Sequence, residues 1–365
     1  MASGFAIWIT GLPGSGKSVL ARAAAEALRA RGVPVQVLEL DAIRKILTPD
    51  PTYTDHEREA VYRLLALMAA TLAEAGAPVI VDATAHRRRW RQAARDLIGH
   101  FAEVQIECPI EVARAREAAR APGHAPRAIY ARAGAAGATV PGVDQEYERA
   151  LAPELTIDTT AEGVASGAEK IAALAERLGA QPSPSPPAPG WALWITGRPG
   201  SGKTTIARHL ARALAGRGVE AWIVDAATVR RIAGPVIVER VDDLVHRAVV
   251  CLAKLLTEAG LAVVVDATAH QRRWRDLARE LIRRFAEIQL ACPAEICADR
   301  ERAARWRLGA GPHGVPAPAG GIELVLDYEP ALRPELTIYT DVQDCVSAVD
   351  KILFVADRLH REGTA

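Results

Sequence analysis

The run Gly11-Leu12-Pro13-Gly14-Ser15-Gly16-Lys17-Ser18 matches GxxxxGK[ST] at every fixed position. Glycines let such a loop wrap closely round a phosphate, so that backbone N–H groups and a helix N-terminus face the anion. Lys17 is then placed for the β- and γ-phosphates of ATP, and the Ser18 hydroxyl for Mg²⁺. The loop occurs a second time, as Gly197, Gly200, Ser201, Gly202, Lys203 and Thr204, followed by Thr205. Asp82 and Asp266 each close an apolar run, "VIVD" and "VVVD". A carboxylate there either holds Mg²⁺ or its water shell, or caps a turn or helix in the following "DAT".

These loops belong to a longer repeat. "WITGLPGSGKS" from Trp8 recurs as "WITGRPGSGKT" from Trp194, and "VIVDATAHRRRWR" as "VVVDATAHQRRWR". "FAEVQIECPIEV" returns as "FAEIQLACPAEI", and "PELTIDT" as "PELTIYT". Between the copies lies "GAQPSPSPPAPG", whose prolines favour an extended spacer. The expected boundaries are 1–178 and 191–365, with a linker at 179–190.

Within each copy, β-type runs alternate with helical patterns. In the first, strand "FAIWIT" leads through the phosphate loop into a helix from Ser18 to about Ala30. Strand "PVQVLEL", a helix through Glu57 to Glu74 and strand "PVIVDAT" follow. Helix "RRWRQAARDLI", strand "AEVQIEC", helix "IEVARAREAAR", strand "LTID" and a helix from about Ala165 to Arg177 complete the copy. Strands alternating with crossover helices imply a parallel sheet covered on both faces. The fold class expected is α/β, with two P-loop NTPase domains of nucleotide-kinase type.

Composition fits that picture. The chain has 365 residues, half of them hydrophobic, and a formal net charge of +1, which gives no global field for nucleic acid or an anionic membrane. No apolar run approaches the ~20 residues needed to span a bilayer. The start "MASGFAIWITGLPG" has no basic flank, and the five cysteines form no CxxC pair. Reduced thiols and a cytoplasmic protein are the expectation. Neither His86 nor His270 has partners at metal-ligand spacing, so no zinc site is expected.

The first copy resembles the adenylylsulfate (APS) kinase family over nearly all of its length. After its P-loop that family has a strand ending L-D-G-D-N-[VI]-R; here Leu38-Glu39-Leu40-Asp41-Ala42-Ile43-Arg44 keeps the second acid and the arginine. Its F-S-x-x-D-R-x-x-N-x-R segment is similar to "YTDHEREAVYR", with Tyr53, Thr54, Glu57, Arg58 and Arg63 in place and Val61 for the asparagine. "CPIEVARARE" and "GVDQEYERALAPELTIDT" look like two further family segments. The resemblance implies that ATP phosphorylates the 3′-hydroxyl of adenylylsulfate, with Asp41 as the base or orienting carboxylate beside Lys17. It implies an acceptor site at Arg44, Tyr53 and Arg58, the arginines suited to phosphosulfate oxygens; His86, at the end of the "DATA" strand, is a further candidate from its position alone. A homodimer and a functional link to a sulfate adenylyltransferase are partners in keeping with it.

The first copy departs from the family on the acceptor side. I-S-P-Y-R is replaced by Ala83-Thr84-Ala85-His86-Arg87, the lid contains no lysine, and Val140 stands for a base-stacking aromatic. Arg120, Arg127 and Arg132 are the cations left in the lid. His86 either contacts an acceptor anion or makes a structural hydrogen bond. The runs "RRRWR" and "QRRWR" read as the solvated face of a helix over a packed tryptophan, or as anion contacts.

The second copy departs further. Lys17 and Lys203 share the offset of Arg44 and Arg230, which pairs Asp41 with Ala227 and Glu39 with Asp225. Beyond a two-residue deletion, Arg58 pairs with Asp242. Gly142-Val143-Asp144 becomes Glu323-Leu324-Val325. Losing a positioned base typically costs ~10²–10⁴ in rate. The second copy is therefore expected to bind nucleotide with little transfer, unless Asp225 serves a differently placed acceptor. The alternatives are a P-loop kinase for another small hydroxyl-bearing metabolite, and an ATP-binding regulatory or scaffolding protein.

Overall fold

A computed structural model describes residues 4–119, 128–135, 138–183, 188–234, 241–309 and 327–362. Arg120, Arg127 and Glu323–Val325 lie outside the described residues. The chain divides into two compact units, one built on Met1–Pro187, the other on Ala188–Arg231 and Asp242–Ala365.

The first unit runs β1 (Ala6–Thr10), α1 (Lys17–Ala30), β2 (Gln36–Glu39), α2 (Leu40–Leu47), α3 (Asp55–Glu74), β3 (Val79–Asp82), α4 (Arg88–Leu97) and β4 (Phe101–Glu107). It closes with α5 (Ile110–Ala118), β5 (Leu155–Asp158) and α6 (Val164–Arg177). The sheet order is β2-β3-β1-β4-β5 and every pairing is parallel. β1 and β3 are buried at every residue, as strands covered on both faces must be. α1 places Leu20, Ala24 and Leu28 at i, i+4, i+8 against Ile7, Ile9, Val104 and α6 residues Ile171 and Ala172. Each such leucine contributes about 1.5–3 kcal/mol by leaving water.

The second unit repeats the plan: β6 (Trp191–Gly197), α7 (Lys203–Ala215), β7 (Ala221–Asp225), α8 (Ala226–Ala233), α9 (Val241–Glu258), β8 (Ala262–Asp266), α10 (Arg272–Leu281), β9 (Phe285–Ala291), α11 (Ala294–Gly309), β10 (Leu336–Tyr339) and α12 (Cys345–Arg361). Its order is β10-β9-β6-β8-β7, again parallel. Among the described residues no helix is long and apolar enough to cross a membrane.

Two local differences from the sequence reading concern the site. β2 ends at Glu39 and not at Leu40, and a separate helix, α2, starts at once. Asp41 therefore sits in the first turn of a helix, where a negative charge meets the positive end of the dipole. The basic run is also not simply a solvated face. Trp90 and Arg91 are both buried, and Arg91 pairs with Glu103 at 2.5 Å while donating to the carbonyls of Ala85 and Glu148. Arg275 does the same with Glu287, Ala269 and Glu329. In each unit this arginine holds the chain beyond the "DAT" strand end. There Ala85 and Ala269 adopt left-handed φ values of 39° and 40°.

Candidate active site

The first phosphate loop joins the C-terminal end of central strand β1 to α1, where ligands of open parallel sheets bind. Gly14 (φ 76°) and Gly16 (φ 100°) occupy the left-handed region that side chains disfavour. A Cβ on Gly14 would also lie 2.2 Å from the Ala113 carbonyl oxygen, so the loop is threaded against α5 with no room to spare. A Cβ on Gly200 would lie the same 2.2 Å from the Cys297 carbonyl oxygen.

Lys17 is buried and its Nζ donates to the Leu12 carbonyl at 2.8 Å. The Ser18 hydroxyl is hydrogen-bonded to the Asp82 carboxylate. Burial pushes Asp82 above the usual carboxylate range, and the neighbouring Lys17 and the Ser18 hydrogen bond pull against that shift. Asp82 does not cap a helix: α4 begins at Arg88, with Arg87 at its N-cap. That leaves a hydroxyl and a carboxylate side by side at the mouth of a phosphate loop, a hard-oxygen donor set suited to Mg²⁺. Ser15 Oγ is buried in the loop with no hydrogen-bond partner.

A cavity of about 760 Å³ extends from this loop. It brings together the expected residues of the first copy: Gly14, Gly16, Lys17, Ser18 and Asp82 on one side, Asp41, Arg44, Tyr53, Arg58 and His86 on the other. Gly11 and Ser15 lie in the loop but do not line it. Val140 is part of the wall, at the position where the resemblance leads one to expect an aromatic.

The cations on the side expected to hold the acceptor differ in what they have left to give. Arg44 is buried and its Nη1 pairs with Glu57 at 3.3 Å. Arg58, also buried, donates from Nη2 to the carbonyl and hydroxyl of Thr139 at 2.9 and 2.7 Å. Its Nη1 is buried without a hydrogen-bond partner. His86 packs edge-on against Trp90, with ring centroids 4.8 Å apart, and its Nε2 likewise has no partner. Burial, reinforced by the positive charges of Arg58 and Arg87, depresses its pKa to about 4, so the imidazole is neutral at pH 7.

Two groups at this cavity were not singled out from sequence. Arg116 donates to the hydroxyl and carbonyl of Thr159, each at 2.9 Å, and that hydroxyl donates to Ser15 O. Arg300 and Thr340 repeat the arrangement in the second unit, so the repeat was the available signal. Tyr62 accepts from the strained Ala85 N–H at 2.9 Å and stacks on Trp90 at 4.3 Å.

The second unit keeps the phosphate side. Lys203 Nζ donates to Gly197 and Arg198 carbonyls, and Asp266 is hydrogen-bonded to Thr204. Burial lowers the Lys203 pKa and raises that of Asp266, each opposed by the other's charge. Ser201 Oγ is buried and unpartnered, as Ser15 Oγ is, whereas the Thr205 side chain faces solvent. The acceptor side is rebuilt. Asp225 does not point a free carboxylate at an acceptor: it accepts from Ala227 N, Thr228 N and Thr228 Oγ1 at 3.1, 3.0 and 2.8 Å, at the start of α8. Arg230 is ion-paired with Asp242. His246 takes the place of Tyr62 and stacks on Trp274 at 4.0 Å.

The family model described as adenylylsulphate kinase matches residues 3–158 and again 189–338. A "probable adenylyl-sulfate kinase" of Archaeoglobus fulgidus is 36% identical over 158 residues, covering 42% of this chain and 96% of that protein. A "probable bifunctional SAT/APS kinase 2" of Sorangium cellulosum is 34% identical over 181 residues, covering 49% of this chain and 30% of that one. Among solved structures, the Mycobacterium tuberculosis APS kinase in complex with AMPPNP and APS matches with a TM-score of 0.43 and 29% identity. It covers 48% of this chain and 99% of that chain. The phosphate loop, the strand-end aspartate and the sequence match occur together twice, and the chain belongs to the adenylylsulphate kinase family.

Proposed function

We propose that the first unit transfers the γ-phosphoryl group of ATP to the 3′-hydroxyl of adenylylsulfate, giving 3′-phosphoadenylylsulfate. The observation that carries this reading is the single cavity that joins the phosphate loop to Asp41 and Arg58. Lys17 and the loop amides bind the β- and γ-phosphates. Ser18 and Asp82 would hold Mg²⁺, which when bound neutralises charge on the phosphate oxygens. Asp41 accepts the proton of the ribose hydroxyl or orients that hydroxyl in line with the γ-phosphorus. The unpartnered Nη1 of Arg58 binds the phosphosulfate anion, and neutral His86 offers Nε2 beside it.

On the same reading the functional domains are 1–178 and 191–365, joined by the linker 179–190, and the second domain holds nucleotide with little transfer. Its capped Asp225 and its Arg230–Asp242 pair support that division. A link to sulfate adenylyltransferase fits the bifunctional naming of the Sorangium relative. The test is direct measurement of 3′-phosphoadenylylsulfate from ATP and adenylylsulfate by the full chain. No product at high enzyme concentration rejects this acceptor. In that case a second reading stands, a kinase for another hydroxyl-bearing metabolite, favoured by His86 and Val140 at positions where the family carries other groups. A screen of hydroxylated acceptors for ATP consumption would identify it.

A further inference from the structure

The corner at Thr52–Tyr53 holds its backbone in an uncommon state. Tyr53 adopts φ 54°, left-handed and disfavoured for any residue with a Cβ. One carboxylate secures it. Glu57 is 4% exposed, and it accepts from Thr52 N at 2.7 Å, Thr52 Oγ1 at 2.8 Å and Tyr53 N at 3.2 Å. Its own N–H is bound by Thr54 Oγ1, the N-cap of α3, so the residue is fixed from the helix side as well. The same carboxylate takes Arg44 Nη1 at 3.3 Å, and Arg44 then lies 5.4 Å from the centroid of the Tyr53 ring. Arg44 and Tyr53 line the cavity; Glu57 stands behind them.

The two arginines of the acceptor side therefore play different parts. Arg44 is committed to a buried carboxylate and an aromatic face. Arg58 keeps a buried donor without a partner. We propose that Glu57 is a positioning residue for the acceptor: it locks Tyr53 over Arg44 and leaves Arg58 as the cation that meets the acceptor anion. The inference rests on the reading of the first unit as an adenylylsulfate site. The second unit supplies an independent comparison. Val241 stands at the position of Glu57, and there Arg230, the counterpart of Arg44, is held by Asp242 at the position of Arg58. Where the carboxylate is missing, the arginine is paired to an acid one residue on and no anion-binding cation replaces it at that position.

The test is steady-state kinetics on the full chain, varying adenylylsulfate and ATP separately, for Glu57→Gln and Glu57→Asp. Removing the charge in Glu57→Gln should raise the adenylylsulfate KM by roughly tenfold or more, with kcat and the ATP KM within about threefold. Glu57→Asp, which restores the charge on a shorter arm, should recover part of that loss. An adenylylsulfate KM within about twofold of wild type in Glu57→Gln, or an equal rise in the ATP KM, overturns the proposal. A crystal structure of Glu57→Gln reads the same role without turnover: Arg44 should leave the Tyr53 ring or Tyr53 should leave the left-handed region. An unchanged Tyr53–Arg44 contact with Tyr53 still in the left-handed region overturns the proposal. If wild type makes no product, the acceptor reading falls and the crystal structure alone decides the role of Glu57.

Discussion

Arg230 is ion-paired with Asp242 in the second unit, at the positions where the first unit carries Arg44 and Arg58. The pair is 42% and 54% exposed, so it contributes little to stability. Its consequence is chemical: the guanidinium is matched within the protein and none is left at this position for an anionic acceptor.

The exposed pair and the buried one should separate in denaturation. Asp242→Ala is expected to change the unfolding free energy by under about 1 kcal/mol. Arg275→Met leaves the buried Glu287 with only the more distant Arg279, at 3.7 Å, and should cost about 3 kcal/mol. Urea titrations of the full chain would measure both, and equal losses would contradict the burial argument.

The two phosphate loops should be separable by lysine replacement. Lys17→Ala is expected to lower product formation by roughly 10²–10³, as loss of a positioned charge donor does, while Lys203→Ala leaves it within about twofold. Each variant should lose one of two nucleotide sites in equilibrium dialysis. If Lys203→Ala abolished turnover while Lys17→Ala did not, the working unit would be the second.

Asp41→Ala tests the proton acceptor. A drop in kcat of ~10²–10⁴ with an unchanged ATP KM is the expected pattern. Retention of full kcat would remove Asp41 from the mechanism.

Acidification should weaken the fold through two histidines. Burial, outweighing the help of the Asp242 carbonyl and carboxylate, depresses His246 to about 4, and His86 stands at about 4 as well. Their unfolded values lie near 6.5. Between those values the unfolded chain binds more protons than the native one, so stability is complete above about pH 6.5 and declines as pH falls towards 4. Each histidine accounts for on the order of 3 kcal/mol across that window. His246→Tyr, which installs the residue found at the equivalent position of the first unit, should flatten the decline. Thermal melts at stepped pH would show it, and an unaltered slope would count against His246.

The parts of this architecture that were legible in sequence are those encoded by near neighbours. GxxxxGK[ST] and a run of apolar residues ending in Asp82 each specify their own local geometry, and the repeat showed each of them twice. α2 was not legible because Leu40 follows Glu39 with no glycine or proline to mark the change from strand to helix. Arg91 was hidden for a different reason. In "RRRWR" all arginines look alike, and only the helix phase that buries Trp90 and Ala94 turns Arg91 inward with them. Glu57 shows the limit most clearly. Its partners belong to a loop and to another helix, so its function exists only once Arg44, Thr52 and Tyr53 have been gathered round it.

The two central strands carry a further consequence, for biosynthesis. "AIWIT" in β1 and "ALWIT" in β6 are nearly interchangeable, and each pairs with strands that emerge far later in the chain. A chain refolding all at once can therefore thread one repeat's central strand between the flanking strands of the other, the misassembly to which tandem domains are prone. Ribosomal synthesis avoids the competition by completing the first sheet before β6 appears. Dilution of the full chain from denaturant should accordingly return less active protein than synthesis does, with the shortfall recovered as compact, mispaired species.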